Sequence, residues 1–120
     1  MKRRANAALL SSSLTNVITP PEAEGARHVY HQYTVRVPNG RDALQQHLTE
    51  ERVGSAVYYP TPIHRLKPFW TGDHAEGAAW DLPETERAAA EVLSLPVHPS
   101  LSPAELQRVV DAVGSWQVPQ

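Results

Sequence analysis

The sequence lacks several residues and patterns on which common site chemistries depend. It contains no cysteine, which excludes a disulfide framework and a zinc site built on thiolates. No run approaches the roughly 18 apolar residues of a membrane-spanning helix, and the apolar run Ala5–Leu10 is too short for a signal-peptide core. The six glycines are scattered and form no phosphate-cradling loop. We therefore expect a soluble, cytoplasmic protein.

Lysine is also scarce, and this scarcity bears on covalent catalysis. The only lysines are Lys2, at the start of the chain, and Lys67, in a proline-rich segment. A cofactor held as a Schiff base needs a lysine on a preorganised, desolvated site, and neither position predicts one. The serines lie in turns and helix caps rather than in a Gly-x-Ser-x-Gly elbow. We therefore predict no catalytic residue in this chain.

The composition that is present is ordinary for a small globular domain. The 120 residues are 41% hydrophobic and 20% charged, with a net charge of -2, and a chain of this kind forms one domain around one core. A charge balance this close to neutral gives no electrostatic reason to expect nucleic acid or an anionic membrane as a partner.

The first predicted element is an amphipathic helix over residues 3–15. The residues on its apolar face are Ala7, Leu10 and Leu14. No capping residue precedes Lys2, so we expect the helix to continue from sequence upstream. We also expect the chain to offer little cover for the apolar face. Residues 1–16 are therefore predicted to be mobile or to project from the domain, and the isolated chain to self-associate or to need a partner.

A strand, a helix and a second strand are predicted next. Residues His28–Val37 alternate in hydrophobicity, which indicates a strand. Its predicted inward-facing residues are Val29, His31, Tyr33, Val35 and Val37. Arg41–Arg52 is typical of an amphipathic helix ended by Gly54, and the run Ser55–Tyr59 favours a second strand. This order indicates a crossover unit.

A long loop and a further helix follow. The loop runs from Pro60 to Leu82, and we expect its aromatic side chains to keep it packed. These aromatic residues are Phe69, Trp70 and Trp80. A capping box at Asp81 predicts a helix from Pro83 to Leu93, and residues 94–98 are predicted to be extended.

The fold class follows from these elements together. Ser102 gives a second start signal, for a final helix from Pro103 that Gly114 ends. The predicted fold class is α/β (α+β), with a small mixed sheet built on the two strands. The helices that begin at Arg41, Pro83 and Pro103 are predicted to cover one face of that sheet.

Histidines and tyrosines are the remaining candidates for chemistry. His28 and His31 are three residues apart, so on a strand they lie on opposite faces and cannot share a metal ion. We therefore predict no metal site. The segment from Tyr58 to His64 combines two tyrosines, two prolines and a histidine, which predicts a stiff ledge of ring faces and hydrogen-bonding groups. Such a ledge suits stacking on a base or a sugar; the alternative is that the rings pack on the core.

Four short segments stand in a distinctive order along the chain. They are Gln32–Val37, Tyr58–His64, Glu86–Ala89 and Leu93–Pro99. In order and spacing they resemble the C-terminal part of the DegT/StrS-type sugar aminotransferases. The resemblance covers nearly the whole chain, from Arg3 to about Val113.

This resemblance implies a domain organisation. Residues 28–116 are similar to the small domain of aspartate-aminotransferase-type (fold type I) enzymes. Residues 1–16 resemble the tail of the helix that joins the two domains, and residues 17–27 a linker loop.

The resemblance also implies a function. Members of the family are pyridoxal-phosphate enzymes that move an amino group, usually from glutamate, onto a keto-sugar attached to a nucleotide, and they work as homodimers. Their catalytic lysine lies in a large N-terminal domain for which this chain has no matching segment. The chain alone is therefore expected to be inactive and not to bind pyridoxal phosphate. The alternatives are a stand-alone nucleotide-sugar-binding or regulatory module, and an inactive remnant.

Five candidate substrate-binding residues follow from the matched positions. Tyr58 and Tyr59 match a segment that lies near the nucleotide-sugar in the family, and His64 matches a histidine that borders the same region. His31 and Tyr33 match a strand that faces the domain junction.

Overall fold

A computed structural model of the chain describes residues 1–69, 76–77 and 79–119. It contains four helices and two strands in the described residues: α1 (Lys2–Ser13), β1 (Tyr33–Arg36), α2 (Arg41–Glu50), α3 (Pro83–Glu91), β2 (Val92–Leu95) and α4 (Pro103–Ser115). Two short 3-10 turns, Ile63–Arg65 and Lys67–Phe69, lie between α2 and α3. Within the described part of the chain, no helix is both long and apolar enough to cross a membrane.

The sheet confirms the fold class but pairs different strands from those predicted. β1 pairs with β2 in antiparallel register, with Tyr33 opposite Leu95 and Val35 opposite Leu93. The predicted second strand, Ser55–Tyr59, contributes only one bridge, between Ala56 and Ser94. Because β1 and the segment at Ala56 are both antiparallel to β2, they run parallel to each other with β2 between them. The predicted crossover unit is therefore present, with β2 inserted between its two strands. The sheet was predicted to be mixed, but every described pairing is antiparallel.

The strand predicted over His28–Val37 is shorter at its start. Tyr30 adopts a left-handed φ of 52°, its ring stacks on His28 with centroids 4.0 Å apart, and its amide donates to His28 Nδ1 at 2.9 Å. A residue in the left-handed conformation cannot continue a strand. The predicted alternation of the two faces is therefore interrupted at Tyr30, and the strand begins only at Tyr33. Tyr30 is consequently buried, whereas Val29 and His31, which were predicted to face inward, are exposed.

One apolar cluster forms the core, and it draws on three helices. Tyr33 and Val35 of β1 and Leu93 of β2 are fully buried, and side chains of α1, α2 and α4 complete the cluster around them. Of the helices predicted to cover the sheet, those from Arg41 and Pro103 contribute buried residues to this core. The helix from Pro83, α3, contacts β1 but buries no residue, and α1 contributes to the core as well.

α1 does not project from the domain, contrary to the expectation from its uncovered apolar face. Ala7 and Leu10 are fully buried in the core and Leu14 is 6% exposed. Polar bonds hold the outer side of the helix as well: Arg3 Nη1 donates to the Tyr30 and His31 carbonyl oxygens at 3.2 and 3.0 Å. The apolar face was correctly predicted. Its cover comes from the core of the same chain, including α4.

The observed helix ends confirm the capping box predicted at Ser102. They differ from the predictions made for Asp81, Gly114 and Gly54. Ser102 and Glu105 form the predicted capping box at the start of α4, but α4 runs through Gly114 to Ser115. α3 has Leu82 at its N-cap with no side-chain bond, so no capping box forms at Asp81.

α2 ends before the glycine that was predicted to stop it. The amides of Arg52 and Val53 donate to the carbonyls of Thr49 and Leu48, and Arg52 holds the left-handed conformation, with φ 60°. This is a Schellman ending in which an arginine occupies the usual glycine position. Gly54 therefore plays no part in the cap.

The long loop is only partly packed where it is described. Phe69 is half-buried, but Trp80 is 48% exposed. Trp70 lies outside the described residues. Gly77 is buried where the loop crosses itself, because a Cβ there would lie 2.6 Å from the Phe69 carbonyl oxygen and 2.8 Å from that of His64.

Candidate functional site

The two tyrosines of the ledge (residues 58–64) point away from the core. Tyr58 is 55% exposed and Tyr59 is 80% exposed. Pro60 and Pro62 fix the φ angles of the following backbone, so the rings are carried by a stiff segment. The alternative that these rings pack on the core is therefore wrong for both tyrosines.

His64 has the opposite environment, because its side chain is only 3% exposed. Its Nε2 lies 3.4 Å from Glu86 Oε1 on α3, and Arg65 Nε donates to the same oxygen at 2.7 Å. The Arg65 bond is the main cause that lowers the pKa of Glu86 below its ordinary value. Glu86 thus anchors the end of the ledge to α3. His64 Nδ1 is buried without a hydrogen-bond partner among the described residues.

A polar cleft of about 340 Å³ lies at the edge of the sheet. Its lining includes His31 and Tyr58, from separate loops, and Arg3 of α1. Gln32, Ser55 and His98 add further polar groups. The cleft therefore presents a cation, two imidazoles, a phenol, an amide and a hydroxyl, which are groups that bind hydroxyls and phosphates.

An apolar cleft of about 650 Å³ lies on the other side of Tyr58. Its lining includes the rings of Tyr58 and Tyr59 and the small side chains of Ala88 and Ala89 of α3. Exposed ring faces beside small apolar side chains suit the stacking of a planar ring.

Tyr33 lines neither cleft. It is fully buried, its hydroxyl lies 2.9 Å from Ser11 Oγ of α1, and burial raises its pKa. The five candidate residues therefore divide by position. His31, Tyr58 and Tyr59 line the clefts, whereas Tyr33 and His64 are buried behind them.

Sequence reasoning did not single out Arg3 and His98 as residues of the polar cleft. Arg3 belongs to a helix that was expected to project from the domain, and His98 follows a segment that was predicted only to be extended. No spacing rule links residues so far apart in the chain. Only the pairing of β1 with β2 and the docking of α1 bring them to one place.

The fold is that of the sugar aminotransferases. The crystal structure of Streptomyces venezuelae DesV in complex with a ketimine intermediate matches it with a TM-score of 0.83 and 34% identity, over 96% of this chain and 31% of that one. The chain belongs to the DegT/DnrJ/EryC1/StrS aminotransferase family, whose profile matches residues 1–114. This family is pyridoxal-phosphate-dependent.

Two curated relatives show the range of names in the family. A pleiotropic regulatory protein of Geobacillus stearothermophilus is 44% identical over 83% of this chain and 26% of its own length. A dTDP-3-amino-3,4,6-trideoxy-alpha-D-glucose transaminase of Streptomyces venezuelae is 37% identical over 88% of this chain and 27% of its own length. The chain thus spans about a quarter of each of these two relatives.

The residues present do not fit covalent attachment of pyridoxal phosphate. Lys2 and Lys67 are both exposed, whereas a lysine that forms a Schiff base is held on a preorganised site away from water. No reaction step is therefore assigned to this cofactor on the residues of this chain.

Proposed function

We propose that this chain is the small C-terminal domain of an aminotransferase that acts on nucleotide-linked keto-sugars, and that it contributes part of the nucleotide-sugar site. In this proposal residues 28–116 form the domain, residues 1–16 are the tail of the interdomain helix and residues 17–27 the linker. The intact enzyme is a cytoplasmic homodimer with glutamate as amino donor. This chain by itself does not transaminate, because neither lysine has the required setting.

The convergence of His31 and Tyr58 on one polar cleft carries the proposal. They come from different loops, and both are exposed, so they are available to a ligand. Imidazole and phenol groups donate and accept hydrogen bonds, which matches the hydroxyls of a sugar. Tyr58 also borders the apolar cleft, where a ring face stacks on a nucleobase.

Titration of the purified chain with UDP-N-acetylglucosamine and dTDP-glucose, followed by amide NMR, tests the proposal. We expect shifts in the amide signals around His31, Gln32 and the ledge. Because stacking is worth about 1–3 kcal/mol per base, Tyr58→Ala should weaken binding about tenfold or more. Val118→Ala, which trims an exposed side chain far along the sequence, is the matched control and should leave binding unchanged. Absence of shifts, or equal effects of both variants, would refute the proposal.

A stand-alone regulatory or binding module is the second candidate. Two observations favour it: the relative with 44% identity is a pleiotropic regulatory protein, and α1 is covered by the core of this chain. This candidate predicts a monomer that unfolds cooperatively and binds nucleotide-sugar without a second domain. Analytical ultracentrifugation with thermal unfolding separates the two, because a domain that needs its missing partner should self-associate.

A further inference from the structure

A third cleft, of about 420 Å³, concentrates positive charge at the start of α1. Lys2, Arg3 and Arg4 line it together with Arg27 of the following loop, so four of the 11 lysines and arginines of the chain meet here. None of the described residues that line this cleft is acidic. The net charge of the whole chain is -2, so the positive charge of this cleft comes from the way the fold groups these residues and not from an excess of basic residues in the chain. We call this surface the cationic cleft.

Only one of these four charges is matched by a carboxylate. Arg4 Nη1 donates to Glu22 Oε2 at 2.8 Å, and that bond lowers the pKa of Glu22. Arg3 is held by two backbone carbonyls, which fix the guanidinium without compensating its charge. Among the described residues no carboxylate forms an ion pair with Lys2, Arg3 or Arg27. Fixed guanidinium groups with uncompensated charge favour phosphate, which they bind through paired, charge-assisted hydrogen bonds.

The cationic cleft adjoins the two clefts of the candidate site. Arg3 lines both the cationic and the polar cleft, and Tyr58 lines both the polar and the apolar cleft. The surface therefore changes in order from cationic to polar to apolar and aromatic. A nucleoside diphosphate has the same order of chemistry, from phosphates through a ribose to a planar base.

We infer that the cationic cleft binds the diphosphate group of the nucleotide-sugar, with Lys2, Arg3 and Arg27 as the cations that contact it. The identity of the whole ligand rests on the proposed function, but the diphosphate site itself does not. In this arrangement the base lies toward Tyr58 and Tyr59, and the sugar extends beyond the phosphates. No side chain of the cationic cleft takes part in a chemical step.

Inorganic pyrophosphate, which carries neither base nor sugar, is the first probe. Titration at constant ionic strength should shift the amide signals around Arg3, Arg27 and Val29. The double substitution Lys2→Gln with Arg27→Gln should weaken binding about tenfold or more, because it removes two charge-assisted contacts, while it preserves the bonds of Arg3 that dock α1. Raising the salt concentration should weaken binding in the wild type, as it screens exposed charges.

The matched control removes the same net charge elsewhere, by Arg52→Gln with Arg108→Gln, both exposed and outside the cationic cleft. It should leave pyrophosphate binding unchanged. Equal weakening by the two double variants would show non-specific attraction and overturn the inference, as would shifts away from the cationic cleft.

UDP-N-acetylglucosamine separates this inference from the proposed function. If pyrophosphate binds in the cationic cleft but the nucleotide-sugar leaves the signals of the ledge unchanged, the diphosphate site stands and the proposed function fails. If the nucleotide-sugar binds at the ledge with an affinity that the Lys2→Gln, Arg27→Gln variant does not alter, the proposed function stands and the diphosphate inference fails. Parallel losses with both probes support both.

Discussion

The core and the segment between residues 54 and 92 bury their apolar side chains to very different extents. Within the part of the chain that the structure describes, none of the 18 core residues comes from the segment 54–92. The same segment supplies six of the 11 large hydrophobic side chains that are exposed among the described residues: Tyr58, Tyr59, Ile63, Leu66, Trp80 and Leu82.

This contrast separates the residues that stabilise the domain from those available for binding. Exposed apolar side chains that are grouped in one place mark an interaction site, whereas scattered ones are normal on a protein surface. Substitutions in the core should therefore change the free energy of unfolding, whereas substitutions in the segment 54–92 should change ligand binding or local protection. The following experiments test this division, from the largest expected effect to the smallest.

Leu10→Ala should have the largest effect. Leu10 is fully buried on α1, and truncating a buried leucine costs about 2–5 kcal/mol through lost transfer energy and the cavity left behind. Chemical denaturation measures the loss. Leu9→Ala, on the same helix but 39% exposed, is the control and should change stability by less than about 0.5 kcal/mol. Similar values for the two variants would mean that α1 lies outside the core.

Gly40→Ala should destabilise the protein by about 1–3 kcal/mol, the usual cost of overpacking. A Cβ at this position would lie 2.8 Å from Cη2 and Cζ2 of the Trp116 ring, and that ring is itself buried. Gly114→Ala is the control, since its Cβ would meet nothing within 4 Å. Gly114 lies in the last turn of α4, so this change should cost nothing and should gain at most about 0.5–1 kcal/mol. A loss at Gly114 or none at Gly40, by thermal denaturation, would contradict the packing described.

Arg52→Gly should stabilise the protein by about 0.5–1 kcal/mol. The left-handed conformation costs a residue with a side chain roughly 1–2 kcal/mol. Glycine removes this cost, but it also increases the conformational entropy of the unfolded chain, which offsets part of the stabilisation. Glu51, the preceding residue, has an ordinary φ of -79°, so Glu51→Gly should bring no such gain. Urea midpoints of the two variants compare them directly, and a loss at Arg52 would exclude the Schellman ending.

Glu86→Gln should loosen the ledge without unfolding the core. At pH 7 the amides of Arg65 and Leu66, which bond to the Pro62 and Ile63 carbonyls, should lose protection from hydrogen exchange. Glu84→Gln is the control, because Glu84 pairs with Arg87 on the same helix and forms no hydrogen bond or ion pair with the ledge among the described residues. Protection lost equally in both variants would rule out a specific anchor.

The Glu86 anchor also predicts a pH dependence. The pKa of Glu86 in the folded protein is lowered from its ordinary value of 4.5, so ionised Glu86 favours the folded arrangement. Its contribution is therefore complete above about pH 4.5 and is lost as the pH falls through the lower, folded value. Protection factors of the wild-type ledge should approach those of Glu86→Gln in that acidic range. A ledge whose protection is independent of pH there would contradict the anchor.

The helices were predicted well from the sequence because the apolar residues on the face of a helix recur every three to four residues. Leu10, which was predicted on the apolar face of α1, is fully buried, as are Leu44 on the amphipathic helix α2 and Val113 in α4. The strand β2 was predicted only in part. Residues 94–98 were expected to be extended, but the helix from Pro83 was predicted to reach Leu93, whereas Val92–Leu95 forms the strand because it pairs with β1. The clefts depend on that same pairing. For this reason Tyr58 and His31 were identified as single candidates, and the contribution of Arg3 was not.

The insertion of β2 between β1 and the segment at Ala56 has a consequence for the order of folding. Until residues 92–95 exist, β1 has only its bridge to Ile18 in the described structure, and the segment at Ala56 lacks its bridge to Ser94. α1 likewise lacks one of its neighbours until α4 exists. Contacts between distant parts of a chain slow folding, because loop closure precedes the gain from the contact. A chain truncated at Glu91 should therefore show no cooperative unfolding transition by circular dichroism. During synthesis α1 and β1 cannot complete their packing until β2 and α4, in the last third of the domain, have been made. We therefore expect the domain to fold as a unit only after nearly all of it has left the ribosome.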